Sequence, residues 1–381
     1  MRILQVTSGY HPAVGGLEVH VQTISEALIS MGHTVTVATP CSNPELPPVE
    51  TLNGVTIYRF PALGPPQFSF PWGMARFLIH YSGSFDIIHA HNYGGLPLGL
   101  TLLFASTPTV ISPLYHGRSE SSFARVLHRI YDPLAAPLLS RAKKVICLSA
   151  GEAVLCVKFL GINPGRIAVV PSPLPRKTAA HPERDGNPTA VSGGQRLILT
   201  VGRLVAYKRV ERIIRLLPLL PADFVLGIVG DGPERGRLKA AAARVGVSDR
   251  VIFFGFVSQP VLEDLYRQAH VLVNLSTSES FGRTILEGLV HGCQVICSDI
   301  PAFGDFAQRC PQAVRVVPET ASPAEIAALV QRAASVPPFM LDLEAYQPES
   351  VACCLLEIYR EVCTGPDHYV VREGDDLHAA A

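Results

Sequence analysis

Residues 2–38 read RILQVTSGYHPAVGGLEVHVQTISEALISMGHTVTVA, and this stretch decides the fold. Its two ends, 2–7 and 34–38, are short apolar segments, which predict β-strands. Between them, apolar residues recur with a helical period from Leu17 to Leu28, which predicts an amphipathic helix. A strand, a helix and a second strand in this order form a βαβ unit, which implies a parallel sheet covered by helices.

The same alternation of strands and helices continues along the chain. Further strands are predicted at 55–60, 86–89, 109–112, 144–148, 167–170, 197–201, 224–229, 251–254, 271–274, 294–297 and 314–317. Residues 172–195 interrupt the pattern because they are mostly polar and include several prolines, and we interpret them as a linker. The sequence therefore predicts an α/β protein of two doubly wound, Rossmann-like domains, 1–171 and 196–344, which face a central cleft.

Two further helices and a tail complete this organisation. Residues 121–140 predict a helix that Pro133 and Pro137 divide or kink. Residues 350–363 predict an amphipathic helix near the end of the chain. The polar residues 364–381 are interpreted as a tail without a role.

Composition limits the class of protein. Of the 381 residues, 48% are hydrophobic, which is enough for two cores and excludes wholesale disorder. The formal net charge is +0, so we expect no binding of nucleic acid. The chain starts directly with a predicted strand, and its apolar runs are interrupted, so neither a signal peptide nor a transmembrane helix is expected. The nine cysteines then indicate reduced thiols in a cytoplasmic protein, and Cys293 and Cys297 are interpreted as packing residues.

Two glutamates that stand eight positions apart, Glu279 and Glu287, mark a candidate site in the second domain. Ser280, Phe281 and Gly282 follow the first glutamate, and a helical pattern leads to the second. A glycine-containing loop that opens a helix leaves free backbone N–H groups, which bind anions. The element thus combines a phosphate cradle with two acceptors for hydroxyl groups, which suits a sugar nucleotide. The alternative is that the glutamates only cap the helix.

A second element supplies positive charge in the same domain. Arg203 and Lys208 follow the predicted strand 197–201, and two separated cations at a strand end are suited to clamp a diphosphate. Arg209 is interpreted as a solvated charge, with a further phosphate contact as the alternative. For the segment as a whole, the alternative is an ordinary charged surface loop.

These two elements resemble the Glu-x7-Glu and Gly-Arg…Lys motifs of the retaining GT-B glycosyltransferases of family 4, also called group 1. The resemblance implies a hexosyltransferase of the GT-B fold, in which a helix at about 345–363 packs back on the N-terminal domain. It implies that Glu279 contacts the donor sugar, that Glu287 binds the ribose, and that Arg203 and Lys208 hold the diphosphate. The residues between the glutamates that are then also donor-binding are Ser280, Phe281, Gly282, Arg283 and Thr284.

Three glycine-containing loops extend the resemblance. Gly15 and Gly16 match the family's loop that closes over the diphosphate. Gly255 and Val257 match the segment that lines the nucleobase, and residues 230–233 match a Gly-Asp-Gly-Pro turn. For the first and last of these loops, the alternative is a purely structural turn.

The family also keeps a histidine that contacts the donor sugar in the N-terminal domain. Residues 112–117 read SPLYHG, whereas many relatives have histidine at the position of Leu114. Either His116 is the functional histidine, or it matches the second histidine of the family's pattern, and both registers stay open. His89 and His91 end a neighbouring predicted strand; we interpret one as a buried structural residue and the other as a contact at the cleft edge.

By this resemblance, the reaction is transfer of a hexose from a nucleoside diphosphate sugar, most often a UDP-sugar, with retention at the anomeric carbon. The leaving phosphate helps to deprotonate the acceptor along a front-face path. No metal or other cofactor is expected, because cations and helix N-termini carry the leaving diphosphate. The acceptor is an unidentified hydroxyl compound, for which His11 and Glu18 are weaker candidate contacts.

Two alternatives belong to other classes. A UDP-sugar epimerase on the same fold would need its own acid and base carboxylates in the cleft. A non-catalytic sugar-nucleotide-binding partner of another transferase is favoured only by Leu114. A peripheral contact with anionic lipid at the inner membrane face is a further expectation, with a solvated helix face as the commoner explanation, for Arg125, Arg129, Arg141, Lys143 and Lys144.

Overall fold

The computed structural model describes residues 1–13, 15–62, 71–117, 137–175, 194–339 and 341–364. These residues form two sheets, one in each half of the chain. The predicted linker falls mostly outside the described residues, as do most of the predicted helix 121–140 and nearly all of the predicted tail. No helix within the described ranges is both long enough and apolar enough to span a bilayer.

The first half contains an eight-stranded sheet with the order β3-β4-β2-β1-β5-β6-β7-β8. Its strands are β1 (Arg2–Val6), β2 (Thr34–Cys41), β3 (Val49–Leu52), β4 (Val55–Pro61), β5 (Ile87–His91), β6 (Thr109–Ser112), β7 (Lys144–Cys147) and β8 (Ile167–Val169). The helices described in this half are α1 (Gly16–Ser30), α2 (Trp72–Tyr81), α3 (Leu96–Phe104) and α4 (Ala150–Leu160). All strand pairs are parallel except β3 with β4, which form an antiparallel pair at the edge.

The second half contains a six-stranded, fully parallel sheet with the order β11-β10-β9-β12-β13-β14. Its strands are β9 (Arg196–Val201), β10 (Phe224–Val229), β11 (Val251–Gly255), β12 (Ala269–Asn274), β13 (Gln294–Ser298) and β14 (Val314–Val317). Its helices are α5 (Val210–Ile214), α6 (Arg235–Arg244), α7 (Gln259–Gln268), α8 (Arg283–Val290), α9 (Pro301–Arg309) and α10 (Pro323–Ala333). Its strands are almost entirely apolar, as expected for a sheet that helices cover on both faces.

The chain's last described helix, α11 (Pro348–Thr364), packs on the first half rather than the second. Val351, Leu355 and Tyr359 are almost completely buried in one core cluster with residues of α1 and β1. At the surface, Lys144 pairs with Glu361 at 3.0 Å. This lysine of the candidate lipid-binding group therefore has a partner within the protein.

The observed strands differ from the expected ones at several boundaries, and β2 runs to Cys41, three residues beyond its predicted end. The edge strand β3 was not predicted, because it has only four residues and half of them are exposed. Strand β5 extends to His91, two residues beyond the predicted end. His89 and His91 are both fully buried, so the expectation that one of them contacts ligand at the cleft edge is wrong.

Candidate functional site

The carboxyl ends of the two sheets face a common cavity of about 320 Å³. The predicted site residues that line it are Gly16 and His116 from the first half and Glu279, Ser280, Phe281, Gly282 and Arg283 from the second. The loops after β1, β6 and β12 supply most of these residues. This is the expected position of a ligand site, since ligands of doubly wound sheets bind where parallel strands end.

Direct contacts between the halves fix the position of this cavity. The Ser278 hydroxyl donates to the carbonyl of His116 at 2.8 Å, and the Ser149 hydroxyl donates to the carbonyl of Ser280 at 3.1 Å. Helix α4 begins against α9, where a Cβ on Gly151 would lie 2.0 Å from the Pro301 carbonyl oxygen. Only glycine permits such a close backbone approach.

An ion pair between Lys208 and Glu279 joins the β9 loop to the β12 loop. Both side chains are mostly buried, with exposures of 14% and 18%. Burial lowers the pKa of Lys208, but the adjacent Glu279 carboxylate outweighs this effect, so the net shift of the pKa is upward. The lysine is therefore an ammonium ion at neutral pH, held beside the cavity by a carboxylate.

Arg203 is exposed just after β9, whereas Arg209 pairs with Glu319 at 2.6 Å. The turn at 230–233 supports this loop through backbone contacts. A Cβ on Gly230 would lie 2.1 Å from the Gly202 carbonyl oxygen, and the N–H of Leu204 donates to the Asp231 carbonyl at 2.9 Å. These contacts favour the structural explanation of the turn.

Both carboxylate oxygens of Glu287 accept hydrogen bonds from other side chains. Its Oε1 accepts from the Nε of Arg283 at 2.9 Å, and its Oε2 accepts from the Tyr266 hydroxyl at 2.9 Å. The residue is 8% exposed. Each oxygen of a carboxylate can accept a second hydrogen bond, so these two contacts do not by themselves prevent Glu287 from accepting a ribose hydroxyl.

The other residues of the motif have mainly internal contacts. Phe281 packs edge-on against Phe306 at 5.3 Å between ring centroids. The Thr284 hydroxyl accepts from the side-chain amide of Asn274 at 3.2 Å. Gly255 ends β11 and Val257 follows it. This strand lies two strands away from β9, so the β9 loop separates both residues from the glutamate motif.

Gly15 caps α1 and Gly16 begins it. A Cβ on Gly16 would meet nothing within 4 Å, so packing does not require glycine there, and the open space leaves room for a ligand. Cβ atoms on Gly9 and Gly15 would each lie 2.4 Å from a carboxylate oxygen of Glu18. This loop therefore wraps the Glu18 side chain, whereas His11 is exposed.

His116 is exposed, and its Nδ1 lies 3.3 Å from the Leu114 carbonyl oxygen. Leu114 also lines the cavity, so the structure does not decide whether position 114 or position 116 matches the family's functional histidine. The loop is held by Glu152, whose carboxylate accepts from the N–H groups of Tyr115 and Leu148, both at 2.7 Å.

Glu152 is fully buried and was missed by the sequence analysis. Burial raises the pKa of its carboxyl to about 8, although its backbone N–H partners act in the opposite direction. A signal was present, because Ser149 and Glu152 have the spacing of a capping box. The Ser149 hydroxyl does cap α4, but the glutamate reaches the β6 loop instead of the cap.

Two buried histidines, His89 and His91, lie behind the cavity, and a third, His20, lines it. His89 is hydrogen-bonded to the hydroxyl groups of Tyr359 (2.7 Å) and Ser112 (2.8 Å). His91 Nε2 lies 2.7 Å from Gln5 Oε1, and the His89 and His91 rings are 4.0 Å apart. Burial lowers the pKa values of His20, His89 and His91, so these rings are neutral at neutral pH.

Two family models match most of the chain. The model described as Glycosyltransferase Family 4 matches residues 14–176, and the model described as Glycosyl transferases group 1 matches residues 183–349. The chain belongs to this glycosyltransferase family. All residues that line the cavity of this glycosyltransferase lie within the matched segments.

Similar proteins agree with the assignment. An uncharacterized glycosyltransferase of Methanocaldococcus jannaschii is 28% identical over 343 residues, which cover 84% of this chain and 86% of the relative. A D-inositol 3-phosphate glycosyltransferase of Acidothermus cellulolyticus is 29% identical over 330 residues, which cover 75% of this chain and 71% of the relative.

The solved structure of Anabaena HepE with UDP and glucose has a TM-score of 0.66 at 16% identity, and covers 95% of this chain and 98% of HepE. This likeness confirms the GT-B fold.

Proposed function

We propose that this glycosyltransferase moves a hexose from a UDP-sugar to a hydroxyl group of an acceptor, with retention at the anomeric carbon. The observation that carries the proposal is the Lys208–Glu279 ion pair beside the cavity between the two sheets. A fixed ammonium suits a leaving diphosphate, and the free face of the carboxylate suits a sugar hydroxyl. The UDP and glucose in the structure of the similar HepE protein support the choice of nucleotide.

The proposed reaction needs stabilisation of the charge that develops on the leaving group. Lys208 supplies one fixed cation, and the exposed Arg203 can reach the same diphosphate from the other end of the β9 loop. Preorganised donors of this kind act most strongly where charge develops, which is the basis of their contribution to the rate. We propose that these cations carry the diphosphate without a metal ion.

On the front face of the sugar, the bond from the anomeric carbon to the phosphate oxygen breaks. The bond from the acceptor oxygen to the same carbon forms on the same face, and the acceptor proton passes to the leaving phosphate. Glu279 and His116 would orient the donor sugar from the two sides of the cavity. Glu287 would accept a ribose hydroxyl on a remaining lone pair and keep its contacts with Tyr266 and Arg283.

The test combines calorimetry with product NMR across UDP-, GDP- and dTDP-sugars. We expect one UDP-sugar to bind and to be hydrolysed slowly, with the α-sugar as the first product. A β-sugar as first product would exclude retention, and absence of binding by every nucleotide sugar would overturn the proposal. An epimerised sugar formed without acceptor would identify the epimerase, and binding without turnover in any acceptor mixture would identify the non-catalytic partner.

A further inference from the structure

Two nitrogen-bearing side chains from opposite halves line the cavity, and each has side-chain nitrogens without a hydrogen-bond partner among the described residues. His20 of α1 is 3% exposed, and its Nε2 has no partner among the described residues. Arg283 begins α8 on the other side, and its Nη1 and Nη2 are buried and equally without partners in the described part of the chain. Both residues line the cavity.

Each side chain is anchored through its remaining nitrogen. His20 Nδ1 lies 2.8 Å from the Ser172 hydroxyl, and Arg283 Nε donates to Glu287 at 2.9 Å. The two are close enough for the arginine charge to contribute, after burial and His91, to the lowered pKa of His20. These anchoring contacts therefore fix the positions of the unpaired nitrogens.

Neither of the two nearby carboxylates is a hydrogen-bond partner of these unpaired nitrogens. Glu279 pairs with Lys208, and both oxygens of Glu287 have partners. Buried hydrogen-bond donors without acceptors lower the stability of the folded state. We therefore expect a bound ligand to supply the missing acceptor. The two terminal nitrogens of a guanidinium match the two oxygens of a carboxylate or phosphate.

We propose that Arg283 and His20 form a subsite for an oxyanion carried by one of the two substrates. Arg283 accepts the group through two parallel hydrogen bonds. The neutral His20 adds a third from Nε2–H, while its Nδ1 accepts from Ser172. The inference rests on the proposed function in that it assigns the group to a transferase substrate: a carboxylate on the donor hexose or a phosphate on the acceptor.

Calorimetry on the full chain separates the two sources. The donor arm compares UDP-glucuronate with UDP-glucose, and the acceptor arm compares inositol 3-phosphate with inositol on UDP-saturated protein. In one arm we expect the anionic compound to bind at least about tenfold more tightly than its neutral counterpart, as charge-assisted bidentate contacts allow. Arg283→Leu should bring this ratio close to one.

Matched variants keep the test specific. Arg267→Leu removes an arginine that is 54% exposed on α7, and should leave the ratio unchanged. Arg283→Lys keeps the charge but loses the fork, so it should retain only part of the preference. His20→Leu should reduce the preference without reversing it.

The subsite is overturned if the ratio is near one in both arms, or if the preference survives in Arg283→Leu. Titration with UDP alone tests the proposed function separately. Should no nucleotide bind, that function fails, and glucuronate and inositol 3-phosphate titrated without nucleotide still decide the subsite by the same comparison with Arg283→Leu.

Discussion

The two halves of this glycosyltransferase face the same cavity with different chemistry. The second half presents charges in pairs, Lys208 with Glu279 and Arg283 with Glu287. Such pairs can exchange a partner for a ligand group, because each member remains charged. This half is therefore suited to hold a charged substrate.

The first half presents groups that burial keeps neutral. The lowered pKa values of His20, His89 and His91 leave the rings uncharged, and the raised pKa of Glu152 favours its protonated form below about pH 8. These groups form hydrogen bonds to backbone, hydroxyl and side-chain amide partners rather than to counter-ions. The contrast suggests that the first half fixes loop geometry and the second half supplies charge.

The largest expected effect tests how far the first half depends on the end of the chain. Leu355 of α11 is 1% exposed in the core shared with α1. Leu355→Ala should lower the free energy of unfolding by about 2–5 kcal/mol, because it leaves a cavity in a packed core. Urea denaturation measures this, with Leu103→Ala, at a residue 49% exposed on α3, as the control. Equal losses in the two variants would contradict the role of α11.

The next effect tests the charges of the second half. Lys208→Ala should lower kcat by about 100- to 1000-fold, the loss seen when one donor to a developing negative charge is removed, or about 2.7–4 kcal/mol. Steady-state kinetics with the donor found by calorimetry measures this. Lys239→Ala on the exposed face of α6 is the matched control and should leave kcat unchanged. An unchanged kcat in Lys208→Ala would exclude the clamp.

The sequence predicted the fold because periodicity is a local property. The spacing from Leu17 to Leu28 and the apolar strands predict the βαβ units directly, and two doubly wound domains follow from repeating them. The GT-B fold was implied by the resemblance of the motifs to the family. The edge strand Val49–Leu52 was missed because it is short and half exposed. The expectation that either His89 or His91 lies at the cleft edge was wrong because the strand runs two residues further than its apolar pattern, which buries both rings.

The candidate site was predictable only where its chemistry lies in contiguous motifs. Glu279 and Lys208 belong to such motifs, and the structure brings them together, although their roles stay predictions. Glu152 and His20 act through partners 37 and 152 residues away in sequence, Tyr115 and Ser172. Packing decides such pairs, and no local pattern encodes them.

A third prediction concerns the pH dependence of the first half. The Glu152 carboxyl keeps its proton up to about pH 8 when folded, whereas its usual pKa is 4.5. Between these values the folded state binds more protons than the unfolded chain, so this group's contribution to stability falls as pH rises. The slope is at most about 1.4 kcal/mol per pH unit.

Urea denaturation from pH 5 to pH 8, a window within that of Glu152, measures the slope. The buried histidines act in the opposite direction below their usual pKa of 6.5, so the comparison with Glu152→Gln isolates the carboxyl. The free energy of unfolding of the wild type, minus that of this variant, should fall as pH rises. Glu357→Gln, on the exposed face of α11, should run parallel to wild type. A parallel curve for Glu152→Gln would refute the raised pKa.

The smallest effect sharpens the comparison at one hydrogen bond. Tyr359 joins α11 to the histidine cluster through its hydroxyl, 2.7 Å from His89 Nδ1, and both residues are fully buried. Tyr359→Phe should lower the free energy of unfolding by about 1–3 kcal/mol, because it leaves the buried His89 Nδ1 without this partner. Tyr81→Phe, at a residue 58% exposed, should change it by much less. If the two variants behave alike, the histidine cluster does not depend on the terminal helix, and the first half is held by apolar packing alone.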